Sequence, residues 1–194
     1  MRRVAAIVLA AGTSSRMGDF KQLLPFGSKT IVETTVETAV ASSADEVVVV
    51  VGHRADDVAA AVARLGVRVV RNDAYLDGMS SSIKAGVRAV GDEVDAVMIC
   101  LGDQPHVPVA VFDAVLDAYR ASGAPVVVPT IAGDTGHPVV FDHSLRDEML
   151  AVDSSQGMRS VTYAHRSETL RVPVDTVAVL DDIDTPDDYE RLRR

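Results

Sequence analysis

Cysteine is nearly absent: Cys100 is the single one in 194 residues. A lone thiol closes no disulfide framework and completes no cysteine-ligated zinc knuckle within the chain. Tryptophan is missing and aromatic residues make up 4% of the chain. The core therefore has to be built from Val, Ala, Leu and Ile, which favours a β-rich or α/β interior. No apolar run is long enough to cross a bilayer. The Met1-Arg2-Arg3 start leads into Val4–Leu9 and a Gly-Ser turn. That run reads as a first strand rather than a signal peptide, being short and without a small-residue cleavage site. A cytoplasmic location with no membrane contact is the expectation. Bases are also scarce, 19 against 28 acids for a net charge of −9. Nucleic-acid-binding domains are normally basic, so DNA and RNA are excluded as expected partners. A small anion can still bind where bases and backbone amides are concentrated.

What is present is regular alternation. A hydrophobic content of 47% with 24% charged residues is that of an ordinary globular chain. The length suits one domain with a large core, expected over residues 1–194. Continuous apolar runs at Val4–Leu9, Val47–Val51, Val67–Val70, Ala96–Leu101, Pro125–Val128 and Pro138–Phe141 predict buried strands, with a weaker one near Val177–Leu180. Helical patterns lie between most of them. Thr30-Ile31-Val32-Glu33 is a capping box, Ala55–Leu65 runs to a stop at Gly66, and Pro108 opens a helix that stops near Gly123. Thr185-Pro186-Asp187-Asp188 starts a last helix expected to end at Arg194. Such repeated units predict an α/β fold: a mostly parallel, Rossmann-like sheet with helices on both faces. In such sheets ligands bind beyond the carboxyl ends of the strands, which draws attention to the residues just after each one.

The first of these segments, Leu9 to Gly27, reads LAAGTSSRMGDFKQLLPFG. It is no dinucleotide fingerprint, because Gly12-Thr13-Ser14 lacks the second glycine, and no Walker A loop, because Gly12 and Gly18 are one residue too far apart. What remains is a turn of small residues whose backbone amides can approach a ligand, with Arg16 and Lys21 as cations. That chemistry suits a polyphosphate, although two solvated bases on a surface loop explain the spacing equally well. Taken whole, the segment resembles the signature L-A-(A/G)-G-x-S-x-R-M-G-x-x-K of the MobA-like nucleotidyltransferases, matched without a gap through Leu9-Ala10-Ala11-Gly12, Ser14, Arg16-Met17-Gly18 and Lys21. The resemblance implies a nucleotide-diphospho-sugar transferase type of fold, in which the main chain of Leu9, Ala10, Ala11 and Gly12 reads the base while Arg16 and Lys21 hold the triphosphate.

Other segments extend the resemblance. Gly78 to Gly86 contains Ser81-x-x-Lys84, formally the acylation motif of β-lactamases, but the chain has neither S-D-N nor K-T-G. A Gly-Ser turn opening a helix with Ile83, Val87 and Val90 inward is the plainer reading. The segment is similar to the family's second nucleotide-contacting loop in its molybdopterin cytidylyltransferase branch, which implies that Asn72, Gly78, Ser80, Ser81 and Ser82 contact the nucleotide. Cys100-Leu-Gly-Asp-Gln-Pro105 follows a predicted strand, and Asp103 lies too early to cap the Pro108 helix. A carboxylate there facing a polyphosphate suits Mg²⁺, which takes one or two carboxylates plus phosphate oxygens. The resemblance makes Asp103 the metal ligand and Asp184, in Asp182-Ile-Asp184-Thr-Pro, a second one. It places Gln104, His137 and Arg159 toward the acceptor, although His137 could equally shape the turn before Pro138. The five histidines are scattered without metal-ligand spacing, so no zinc site is expected. One departure stands out: where the branch carries G-D-x-G-x-R, this chain reads Ser154-Ser155-Gln156-Gly157-Met158-Arg159. That puts the acceptor in question and leaves the nucleotidyl chemistry alone.

The activity implied is Mg²⁺-dependent transfer of a nucleoside monophosphate, CMP from CTP, with Arg16, Lys21 and Asp103 as the catalytic set. The acceptor would be a phosphate such as that of molybdopterin, with a molybdoenzyme as a candidate recipient of the product. GTP as donor, and a sugar or isoprenoid phosphate as acceptor, stay open. So does a non-catalytic nucleotide or molybdenum-cofactor carrier, for which the same loops would serve.

Overall fold

The computed structural model describes residues 1–153 and 157–193. In chain order the strands are β1 (Val4–Ala10), β2 (Pro25–Phe26), β3 (Lys29–Thr30), β4 (Glu46–Val51), β5 (Arg68–Arg71), β6 (Ala96–Leu101), β7 (Val126–Ile131), β8 (Asp134–Thr135), β9 (Val139–Asp142) and β10 (Thr169–Pro173). The helices are α1 (Ile31–Ala41), α2 (Ala55–Val62), α3 (Met79–Val90), α4 (Val109–Ser122), α5 (Arg146–Ala151), α6 (Arg159–Ala164) and α7 (Pro186–Leu192). Their ends follow local chemistry. The Thr30 hydroxyl accepts from the Glu33 amide while the Glu33 carboxylate accepts from the Thr30 amide, and Thr185 and Asp188 repeat the arrangement at α7. The last helix closes at Leu192, and Arg194 lies outside the described residues.

One sheet carries the fold, in the order β10-β7-β9-β6-β1-β4-β5, with β8 paired to β7. Strands β6, β1, β4 and β5 are parallel, as are β7 and β10. The exceptions are β9, which runs antiparallel between β6 and β7, and the two-residue β8, antiparallel to β7. The connection from β7 to β9 holds only the two-residue β8 and is too short for the crossover a parallel neighbour needs. Alternation along β1 splits the core into two layers. Val4, Ala6 and Val8 face Val32 and Val36 of α1, Val58 and Val62 of α2, and Phe112 and Leu116 of α4. Ala5 and Ile7 face Ile83 and Val87 of α3, Met149 of α5 and Val161 of α6. Contact with α3 is tight: a Cβ on Gly86 would overlap the Ile7 side chain.

Two expectations need correction. Val177–Leu180 is a single 3-10 turn rather than a strand. The strand in this region is β10, whose alternating burial and terminal Pro173 mark an edge position that an apolar run does not reveal. The run at Val67–Val70 does form a strand, shifted to Arg68–Arg71, but it is a largely exposed edge rather than a buried one. Its arginines discourage further strand pairing there.

Candidate active site

Ala10 ends β1 deep in the core, and the chain then turns sharply over the carboxyl end of the sheet. Ser14 adopts a left-handed φ of 55° and its hydroxyl ties the loop together, donating to Gln22 Oε1 at 2.9 Å and accepting from the Lys21 amide at 3.1 Å. The amides of Gly12, Thr13, Ser14 and Ser15 find no acceptor among the described residues. Successive free N–H groups of this kind make an anion-binding concavity.

Lys21 turns inward from the far side of the loop. Its Nζ donates to Asp103 Oδ2 at 2.6 Å and to Asp184 Oδ1 at 2.8 Å, with its side chain only 9% exposed. Arg16 reaches the other Asp184 oxygen at 2.8 Å and is 70% exposed. Burial works against the Lys21 charge, but Asp103 and Asp184 outweigh it and hold its pKa above that of an ordinary lysine. For Asp184, burial would raise the carboxyl, yet Lys21 and Arg16 prevail and hold it below the ordinary range. The structure thus brings together Arg16, Lys21, Asp103 and Asp184, residues up to 168 positions apart, as two cations interleaved with two carboxylates.

Apolar anchors set this geometry. Met17, Ile31 and Ile183 form a buried cluster of their own beneath the loop. Met17 adjoins Arg16, and Ile183 lies between Asp182 and Asp184, so each anchor fixes its charged neighbour. The Ile183 amide donates to the Asp103 carbonyl at 3.1 Å, joining the two carboxylate-bearing segments through backbone. Gly102 lets the Asp103 turn close on β1, since a Cβ there would stand 2.5 Å from the Leu9 carbonyl oxygen.

Two cavities meet here. The first, about 400 Å³, is lined by Leu9, Ala11, Gly12 to Arg16, Lys21, Gly78, Ser82, Asp103 and Asp184 among others. The second, about 700 Å³, is walled by apolar side chains such as Ile83, Ile99, Val128, Val139 and Phe141, and carries Gln104, His137 and Arg159. Met79, Leu101 and Asp182 border both. Burial, together with the Arg159 charge and against that of Asp103, lowers His137 to about 4, so its imidazole is neutral at neutral pH. Burial and the nearby Asp103 charge push Asp182 up to about 6.

Several expected contact residues are tied into the protein's own hydrogen bonds. Asn72 lies behind the loop: its Nδ2 donates to Ser81 Oγ at 2.8 Å and Ser82 Oγ at 3.0 Å, and its Oδ1 accepts from the Ala74 amide. It acts as a strut for the start of α3. Ser82 faces the first cavity, Ser80 the second, and the Ser81 hydroxyl donates back to the Gly78 carbonyl. Gln104 is buried, and its Nε2 donates to the Val179 carbonyl and to Asp182 Oδ1 at 2.7 Å. Ser154, Ser155 and Gln156 lie outside the described residues. Thr13, Ser15, Gln22, Tyr75, Met79 and Asp182 line the first cavity without having been singled out as contacts. A polar run between the matched positions of the loop was the available signal for Thr13 and Ser15. Tyr75 and Met79 offered none.

Among the described residues no three His, Cys, Asp or Glu side chains converge as a metal cage. Two carboxylates around one shared cation, opening on a polyanion-sized cavity, fit a hard ion that takes its remaining ligands from a substrate's phosphates and water. Asp103 and Asp184 would hold it.

A cavity of this size, lined by free amides and by two cations among carboxylates, lies at the carboxyl edge of the sheet, where α/β folds bind their ligands. The family assignment is more specific. The sequence model of the MobA-like NTP transferase domain matches residues 6–169, and the chain belongs to that family. The fold is that of nucleotidyltransferases of the nucleotide-diphospho-sugar transferase type. The chain is similar to the molybdenum cofactor cytidylyltransferase of Escherichia coli (strain K12), 27% identical over 97% of this chain and 95% of that one. It is also similar to nicotine blue oxidoreductase of Paenarthrobacter nicotinovorans, 33% identical over 74% of this chain and 72% of that one. The crystal structure of Rv0371c from Mycobacterium tuberculosis H37Rv in complex with manganese superposes with a TM-score of 0.83 at 29% identity, covering 98% of this chain and 97% of the other. Among the described residues no helix is long and apolar enough to cross a membrane.

Proposed function

We propose that residues 1–194 act as one Mg²⁺-dependent cytidylyltransferase domain that moves CMP from CTP onto the phosphate of an acceptor, molybdopterin being favoured. The observation that carries this reading is the Arg16–Asp184–Lys21–Asp103 cluster lining the first cavity, which adjoins the second at Met79, Leu101 and Asp182. The free amides of Gly12 to Ser15, with Arg16 and Lys21, would receive the triphosphate in the first cavity. Arg159 and neutral His137 would meet the acceptor in the second, while Gln104 braces Asp182 between them. An acceptor phosphate oxygen forms a bond to the α-phosphorus as the bond from that phosphorus to the bridging oxygen breaks, and pyrophosphate leaves with the electron pair. This step needs positioning and charge neutralisation rather than a covalent nucleophile. Arg16 and Lys21 would offset charge on the leaving group. A divalent ion on Asp103 and Asp184, when bound, supplies further neutralisation of the phosphate oxygens.

The oxidoreductase among the relatives supports a second reading, in which the first cavity serves a redox nucleotide. The carboxylate pair separates the two, because hydride chemistry requires no metal-holding acids there. Incubation with each nucleoside triphosphate, Mg²⁺ and molybdenum cofactor should release pyrophosphate with CTP, and Asp103→Asn should abolish it. Binding of the cofactor without turnover would instead favour a carrier.

A further inference from the structure

We propose that Lys21 is an internal stand-in for the divalent ion: it keeps the Asp103–Asp184 pair closed to free metal until a polyphosphate draws its ammonium away. The inference rests on the reading of these carboxylates as metal ligands and extends it to the order of binding.

The geometry is specific. The Lys21 ammonium lies 2.6 Å from one carboxylate and 2.8 Å from the other, between the two groups that would have to face an ion. Its side chain is 9% exposed, so water shields it little. Arg16 occupies the remaining side of Asp184. A divalent ion cannot share that position with an ammonium at contact distance, because the like charges repel strongly where solvent is excluded. Free metal must therefore displace a well-partnered lysine and recover little in exchange.

A polyphosphate changes the balance. It brings several negative charges to the amides of Gly12 to Ser15, which line the same cavity as Lys21. Lysine is a compact charge on a flexible four-carbon stem, able to swing between neighbouring anions as an arginine fork held in one plane is not. Transfer of Nζ to the phosphates frees both carboxylates as the phosphate oxygens arrive to complete the coordination. Metal and nucleotide then tighten each other's binding, and reciprocally so.

The inference is tested without turnover. Free Mn²⁺ is followed by electron paramagnetic resonance in the absence of nucleotide. Lys21→Met should bind Mn²⁺ about tenfold or more tightly than wild type, within the usual range of site–site coupling, and adding Asp103→Asn should remove the gain. Equal or weaker binding by a folded Lys21→Met overturns the inference. A second measurement uses the unaltered protein, whose three lysines are Lys21, Lys29 and Lys84. With ¹⁵N-labelled lysine, millimolar Mg²⁺ alone should leave the Lys21 ammonium resonance in place, whereas Mg²⁺ with inorganic tripolyphosphate should move it. Displacement by Mg²⁺ alone overturns the inference. Failure of every nucleotide to yield pyrophosphate would defeat the transferase reading but leave both of these results to stand or fall separately.

Discussion

Replacing Asp103 by Asn removes one negative charge from the cluster while keeping its shape. In the wild type, Asp103 Oδ2 accepts from Lys21 Nζ at 2.6 Å, and the lysine side chain is 9% exposed. Asp184 still holds the same ammonium at 2.8 Å, and the Asn carbonyl can still accept. A hydrogen bond to a charged group contributes about 1.5–3 kcal/mol, so with an acceptor retained the loss should fall near the lower end, about 1–2 kcal/mol. For a chain of this size each kcal/mol shifts Tm by about 2–4 °C, which places the expected drop at about 2–8 °C. The effect on turnover should be far larger. Asp103 would act by holding the ion that neutralises developing charge, and loss of one such electrostatic contribution commonly costs about 10²–10³ in kcat. Pyrophosphate release measured beside a thermal melt separates the two effects. A folded Asp103→Asn enzyme retaining more than roughly a tenth of wild-type turnover would refute the assignment, since that loss is below the usual cost of such a contact.

Three other substitutions probe different links. Asp182 is raised to about 6 by burial and the Asp103 charge, so the folded chain binds this proton more tightly than the unfolded one. Stability from this group therefore falls as pH rises from the ordinary carboxylate value through about 6. Asp182→Asn keeps an acceptor for Gln104 and should gain about 1–2 kcal/mol on wild type near pH 8, and little near pH 4; an equal Tm difference at both would contradict this. Gly102→Ala would set a Cβ 2.5 Å from the Leu9 carbonyl oxygen, backbone that cannot swing aside. It should cost about 1–3 kcal/mol and lower turnover by moving Asp103, and an unchanged melting curve would count against the close approach. Arg159→Ala should raise KM for the acceptor with KM for the nucleotide unchanged; a selective rise in the nucleotide value would move Arg159 to the other cavity.

Local chemistry made much of the fold legible. The Thr30–Glu33 capping box, the stop at Gly123 and the apolar run of β6 each follow from a few adjacent residues. What needed the third dimension was pairing. The antiparallel course of β9 depends on how short its turn from β7 is, and β10 hides in an alternating edge sequence. At the site, the resemblance picked out Arg16, Lys21, Asp103 and Asp184 but not that Lys21 stands between both acids. The resemblance assigns Asn72 and Gln104 to ligand contacts. Their buried amides also hydrogen-bond neighbouring groups, a requirement of burial that sequence does not display. Met17 and Ile183 sit inside charged motifs and anchor them to the core, a role that the motifs themselves do not display.

Nucleotidyl transfer at the Lys21–Asp103–Asp184 cluster is open to a single decisive assay. The protein is incubated with CTP, Mg²⁺ and molybdenum cofactor, and pyrophosphate is measured together with the mass of the product. Stoichiometric pyrophosphate and a product heavier by one CMP unit, both lost in Asp103→Asn, are predicted. Pyrophosphate from no nucleotide, with Asp103→Asn binding nucleotide and metal as wild type does, would contradict the account.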